Sequence, residues 1–256
     1  MSTLVTFDSN VWESIVDENK RNNSDDVYTK LYELIIRGAI EPYFFEGIAT
    51  IETIKKGDRK GYYANYSAGV SMCADGEEVS SKNGANAPEI SEYLKRVIPQ
   101  ALEMGFRFTA LPRIGAPKLN LSDKYWAPSN KYSDKERLKR SFECARFIES
   151  LGAGKGKLMN ELGAQNGGLV PHTKNDNSIT VKNYSKAVSE WTDGDALAAS
   201  YGYGIDYFCT NDRASGAGST SIFHASNLQQ LEQKFPVNVV SPEELVQALA
   251  EANKLI

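Results

Sequence analysis

Two acids mark where short apolar runs stop, and that placement constrains the fold of this chain more than any bulk property. Residues 4–7 are apolar and β-branched, and Asp8-Ser9-Asn10 follows them with turn and cap chemistry. Near the other end, residues 205–210 form a similar run, after which Asn211-Asp212 appears. Elsewhere the apolar spacing changes to that of helices: Val27, Leu31, Leu34 and Ile35 share one face, and Gly38 closes the pattern as a C-cap. A strand is expected over 40–45 and a helix over 49–56, with Glu52 in its early part. Further helices are expected over 181–191 and 196–203, and a further strand over 237–240. Ser241-Pro242-Glu243-Glu244 reads as a capping box that starts the last helix. Short strands alternating with helices predict an α/β layer structure with a mostly parallel sheet. Ligands of such sheets bind beyond the carboxyl ends of the strands, where Asp8 and Asp212 stand.

Residues 61–177 have a different texture and read as a large, mainly helical insertion packed on a core made of 1–60 and 178–256. One helix carries Ile90, Tyr93, Leu94, Val97, Ile98 and Ala101 on one face, and another carries Leu138, Phe142, Ala145 and Ile148. A strand is expected over 107–111. The glycine- and asparagine-rich stretches 152–168 and 174–177 read as mobile loops.

Composition narrows the function classes. Hydrophobic content of 41% with 24% charged residues is that of a folded soluble protein. No basic head precedes an apolar stretch at the start, and no apolar run is long enough to span a bilayer, so a cytoplasmic location away from membranes is expected. Cys73, Cys144 and Cys209 lack metal-ligand or disulfide spacing and read as buried thiols. A net charge of −4 argues against generic capture of nucleic acid and leaves room only for a local basic groove.

The chemistry-bearing segments are Phe7-Asp8-Ser9-Asn10, Thr50-Ile51-Glu52, Asp193-Gly194-Asp195-Ala196-Leu197-Ala198-Ala199, and Cys209-Thr210-Asn211-Asp212. In order and setting they resemble the PIN-domain family of metal-dependent nucleases. Its members open with a strand ending in Asp, carry Glu in an early helix, and close with a D-x-x-x-A-A helix and a strand ending T-x-D. Asp8, Glu52, Asp195 and Asp212 match those positions, and residues 237–245 match the last strand and helix. The resemblance covers roughly the first 60 and last 80 residues. It implies a three-layer fold, a site for Mg²⁺ or Mn²⁺, and hydrolysis of RNA to 5′-phosphate and 3′-hydroxyl ends, in a toxin-like or RNA-processing enzyme. An inhibitor protein and a homodimer are further partners to consider. This chain is about twice the length of small members, and the segment after Asp212 lacks the further acid followed by Phe that many carry. Asp193 and Glu46 are the acids expected to compensate.

Electrostatics independently argue for a cation. Two carboxylates about 4 Å apart repel by roughly 4 kcal/mol at an effective dielectric of 20. Oxygen ligands without a His or Cys cluster select Mg²⁺ or Mn²⁺ over Zn²⁺. For substrate, Lys55, Lys56 and Arg59 followed by Tyr62 and Tyr63 interleave charge with aromatic faces, which suits single-stranded nucleic acid. Asn10 and Thr210 flank the first and last acids and join that set. The insertion is expected to select the substrate through Tyr62, Tyr63, Lys155 and Lys157. Gly152-Ala153-Gly154-Lys155-Gly156-Lys157 fails as a phosphate loop because Leu158 stands where Ser or Thr should follow. His172 and His224 lack supporting motifs for imidazole catalysis and read as polar surface residues. Asn10 also counts against a phosphatase with an aspartyl nucleophile, which would want Asp there. The alternative to a nuclease is a non-catalytic PIN-like module that binds RNA or protein.

Overall fold

The computed structural model describes residues 2–64, 72–74, 77–79, 90–113, 116–119, 121–129, 131–161, 180–212 and 218–254. The chain runs β1 (Thr3–Phe7), α1 (Ser9–Val16), α2 (Glu18–Asn22), α3 (Asp26–Ile36), β2 (Ile40–Phe45), a 3₁₀ turn (Glu46–Ala49) and α4 (Arg59–Ala64). A short ribbon, β3 (Met72–Ala74) with β4 (Glu77–Val79), precedes α5 (Glu92–Glu103), β5 (Arg107–Thr109), α6 (Asp134–Ser150) and α7 (Lys155–Glu161). The last part is α8 (Val181–Tyr203), β6 (Tyr207–Cys209), α9 (Ala225–Lys234), β7 (Val239–Val240) and α10 (Pro242–Lys254).

Five strands form one sheet in the order β5-β2-β1-β6-β7, every pair parallel. Successive side chains of a strand point to opposite faces. Accordingly Phe44 packs on one side with Trp12, Ile15, Leu31, Val97, Phe106 and Leu245, while Phe45 packs on the other with Cys144, Ile148, Leu197, Phe208 and Leu231. One face is thus covered by α1, α3, α5 and α10, the other by α6, α8 and α9. This is the three-layer α/β fold with a parallel central sheet expected from the sequence. The chain lays β2 and β5 on one side of β1, then returns to lay β6 and β7 on the other. The strand order therefore reverses between β1 and β6, the crevice where such sheets hold ligands.

Three local expectations change. Residues 49–56 form no α-helix: after the 3₁₀ turn, Thr50 Oγ1 donates to the Glu46 carbonyl at 3.0 Å and Thr53 Oγ1 to the Thr50 carbonyl at 2.7 Å. Hydroxyls that bond nearby carbonyls offer the backbone an alternative to the helix ladder. The break expected between residues 191 and 196 is absent. α8 continues through Gly194, where a Cβ would lie 2.8 Å from the Gly154 Cα, so glycine serves a crossing of bare backbones and not a break. For the same reason the start of the 152–168 stretch is packed core: Ala153 and Leu158 are buried, and a Cβ on Gly156 would strike the Glu149 backbone. Residues 162–168 and 174–177, like His172, lie outside the described residues. The segment expected as an insertion is also woven into the layers, supplying edge strand β5 and helices α5 and α6. Among the described residues, no helix is long and apolar enough to cross a membrane.

Candidate active site

Asp8 stands where β1 gives way to α1, and its geometry is fixed by the neighbouring strand. Ser9 N donates to Asp8 Oδ1 at 2.7 Å. The buried Thr210 hydroxyl, just past β6, donates to Asp8 Oδ2 at 2.6 Å, and Asn10 Nδ2 donates to the same oxygen at 3.0 Å. Thr210 Oγ1 in turn accepts from Asp212 N at 3.0 Å, while Asn10 Oδ1 accepts from Asn211 N at 3.0 Å. The ends of β1 and β6 are thereby knitted together, with Asp8 and Asp212 on the same rim.

Glu52 comes from the turns after β2, where its amide donates to the Gly47 carbonyl at 2.9 Å. Asp193 comes from the middle of α8. Asp8, Glu52 and Asp193, all half-buried, line one cleft with Ser9 and Thr192, over a floor that includes Phe45, Ile48 and Phe208. Their charges act on one another. Burial, reinforced by Asp8, pushes Glu52 up to about 7, with Arg59 opposing. Burial also holds Asp193 well above the usual carboxylate range, and Asp8, Glu190, Glu52 and Asp212 add to the rise. Asp8 is raised by burial even though Thr210 and Ser9 donate to it, and Asp212 raises it further.

Arg59, only 3% exposed, acts electrostatically with Glu52 and Asp193. Its Nε donates to the Ile54 carbonyl at 3.0 Å and its Nη2 to the Glu52 carbonyl at 3.3 Å. Its Nη1 donates to the Ser185 carbonyl at 3.0 Å and to Ser189 Oγ at 2.9 Å. One side chain thus ties the Glu52 loop to the helix that carries Asp193. It is a structural clamp rather than the exposed substrate contact expected from the sequence.

Asp195 belongs elsewhere. Helical residues two apart do not share a face, and with Asp193 turned to the cleft, Asp195 points away from it. Trp191 Nε1 donates to Asp195 Oδ2 at 2.7 Å, and Arg113 Nε stands 3.5 Å from the same oxygen while also pairing with Glu149. Burial pushes Asp195 up to about 6 against the pull of Arg113. Glu46 is pushed up to about 7 by burial, accepts from the Leu111 amide, and feels Asp195. It stands with Asp195, not with Asp8. The acids that act on one another are therefore Asp8, Glu52 and Asp193, which line the cleft, and Asp212, which raises Asp8 and Asp193. The sequence carried a signal for this: Asp193 shares a helical face with Lys182 and Lys186, whereas Asp195 lies four residues from Trp191 and Ala199.

The remaining expected substrate contacts divide. Lys55 and Lys56 are exposed, Tyr62 is half-buried, and Asn10 is exposed at the rim. Tyr63 is fully buried against Tyr184 and Trp191, so it is core. Lys155 lies over the Trp191 ring at 4.7 Å, its ammonium depressed by burial, which removes it from the substrate surface. His224 caps α9, accepting from Ser226 N.

Carboxylates accompanied by a hydroxyl and a carboxamide, without imidazole or thiolate, make a donor set for a hard divalent cation. In chemistry the four acids fit Mg²⁺ or Mn²⁺. Among the described residues, no three Asp, Glu, His or Cys side chains are gathered closely enough to hold one ion. The acids ring the cleft, and side-chain rotation would have to draw them onto a cation. No protein-family model, curated protein or solved structure matches the chain.

Proposed function

We propose that this chain is a divalent-metal-dependent ribonuclease of the PIN kind, with Asp8, Glu52, Asp193 and Asp212 as its metal-holding acids. The observation that supports the reading is that Asp8, Glu52 and Asp193, from three separate segments, line one cleft beside the point where the strand order reverses, with Asp212 just past the end of β6. Buried like charges are costly to keep ionised without a cation. A bound Mg²⁺ or Mn²⁺ would supply an activated water and charge stabilisation for phosphodiester hydrolysis. Around it, Thr210 and Asn10 hold Asp8 in one orientation, and Arg59 holds the Glu52 loop against α8. Asp195 has no part in this chemistry and serves the fold through Trp191 and Arg113.

The test is cleavage of an unstructured RNA with Mg²⁺ or Mn²⁺, with EDTA as control. Metal-dependent cleavage that disappears in Asp8→Asn supports the reading, and cleavage that survives both EDTA and Asp8→Asn overturns it. The open spacing of the acids favours a second reading, a non-catalytic RNA- or protein-binding module of the same fold. Purified protein that binds RNA but leaves it intact in either metal selects that reading.

A further inference from the structure

A polyanion must reach a cleft ringed by carboxylates, in a chain whose net charge is −4. The approach begins on α8. At about 100° per residue, Lys182, Lys186, Ser189 and Asp193 fall within about 60° of arc and form one stripe along the helix. Lys182 and Lys186 are both exposed. At 1.5 Å of rise per residue they precede Asp193 by about 16 Å and about 10 Å along the axis. The edge of the stripe is joined to the Glu52 loop, because Arg59 donates to Ser189 Oγ and the Ser185 carbonyl while also holding the Ile54 carbonyl. Lys55 and Lys56, the residues that follow Ile54 in that clamped loop, are exposed. Asp58 is the exposed opposing charge in that loop. Among the described residues, none of Lys55, Lys56, Lys182 and Lys186 forms a salt bridge.

We propose that Lys182 and Lys186, with Lys55 and Lys56, form a basic rail along which the backbone of a single-stranded nucleic acid enters the acid cleft over the first half of α8. Lysines without carboxylate partners leave their charge free for phosphate, and a track of about three helical turns from Lys182 to Asp193 positions a backbone without reading bases. A single strand fits better than a duplex because the rail is one helix face leading into a cleft between half-buried acids. Where the strand leads rests on the nuclease reading; the rail itself rests on the placement of the lysines.

The experiment measures binding of a labelled, unstructured oligoribonucleotide to the full chain by fluorescence anisotropy across a salt series. Calcium is present to neutralise the acids, and cleavage in Mg²⁺ or Mn²⁺ is followed separately. The double variant Lys182→Ala/Lys186→Ala is expected to bind about tenfold more weakly, and its salt dependence should fall by about 1.4, roughly 0.7 per lost phosphate contact. Lys139→Ala, a lysine on α6 paired with Glu143, should bind like the wild type. Unchanged affinity and salt slope in the double variant overturn the rail. Equal affinity for a duplex of the same sequence overturns the single-strand assignment, and equal lysine-dependent binding of polyglutamate assigns the surface to an acidic protein. Lysine-dependent RNA binding without cleavage in either metal keeps the rail and rejects the nuclease.

Discussion

Asp193 and Asp195, two residues apart on one helix, serve opposite sides of it: Asp193 bears on Asp8 and Glu52, while Asp195 accepts from Trp191 and pairs with Arg113. Their substitutions should therefore diverge. Asp195→Ala leaves the guanidinium of Arg113, whose side chain is 8% exposed, short of a buried partner, and should cost about 3 to 5 kcal/mol. Asp193→Asn removes a carboxylate from a repulsive set and should raise the melting temperature of the metal-free protein. Thermal denaturation in EDTA checks both, and destabilisation by Asp193→Asn would contradict the electrostatic account.

The same repulsion sets a pH dependence. Glu52 is raised from 4.5 to about 7, and Asp8 and Asp193 are raised as well. A carboxyl whose folded pKa lies above its unfolded value contributes stability that is full below the unfolded value and lost as pH rises through the folded one. The metal-free chain should thus lose stability between about pH 4.5 and 7, and saturating Mn²⁺ should flatten that decline by favouring the ionised acids. Denaturant midpoints across the range, with and without metal, are the measurement.

Arg59 should behave as a clamp. Arg59→Ala strands the buried carbonyls of Ile54 and Ser185, each costing roughly 1 to 3 kcal/mol if left unsatisfied, and frees the part-buried Glu52 carbonyl. Arg59→Lys should recover only part of the loss, because an ammonium cannot reproduce the planar fork. If both variants unfold at the wild-type denaturant concentration, the clamp is not structural.

Gly194→Ala tests the crossing of α8 with the 152–156 stretch. Alanine favours helices over glycine by roughly 1 kcal/mol, yet its Cβ would meet backbone at 2.8 Å. Overpacking of this kind costs about 1 to 3 kcal/mol, so net destabilisation is expected in a chemical denaturation curve, and a gain in stability would mean the backbones can separate.

The sequence located Asp8 and Asp212 because a strand that ends in an acid places it on the ligand-binding rim, a relation local in the chain. It misassigned the acid on α8 because Asp195 was chosen by its match to the family motif, while the break expected between residues 191 and 196 hid the phase of the helix. Once the helix is continuous, the phase of Asp193 with Lys186 and Lys182 follows from the spacing alone. The environments of Arg59 and Tyr63 were beyond local reading. Their neighbours in a charge-rich run suggested surface, but Ser185, 126 residues later, accepts from Arg59 and so buries it. In the same way, the glycines after residue 151 looked like a loop, but Gly154 packs against the α8 backbone at Gly194 and Gly156 against the backbone of Glu149 on α6.

The central claim, that Asp8 and Asp193 belong to one cation site and Asp195 does not, is tested most directly by titrating Mn²⁺ into the metal-free protein and following free Mn²⁺ by electron paramagnetic resonance. Wild type should take up the ion, Asp8→Asn and Asp193→Asn should each weaken uptake at least about tenfold, in line with roughly 1.4 kcal/mol or more of lost ligation, and Asp195→Asn should bind as wild type does. Uptake abolished by Asp195→Asn but unaffected by Asp193→Asn, or no uptake by the wild type, would contradict the account.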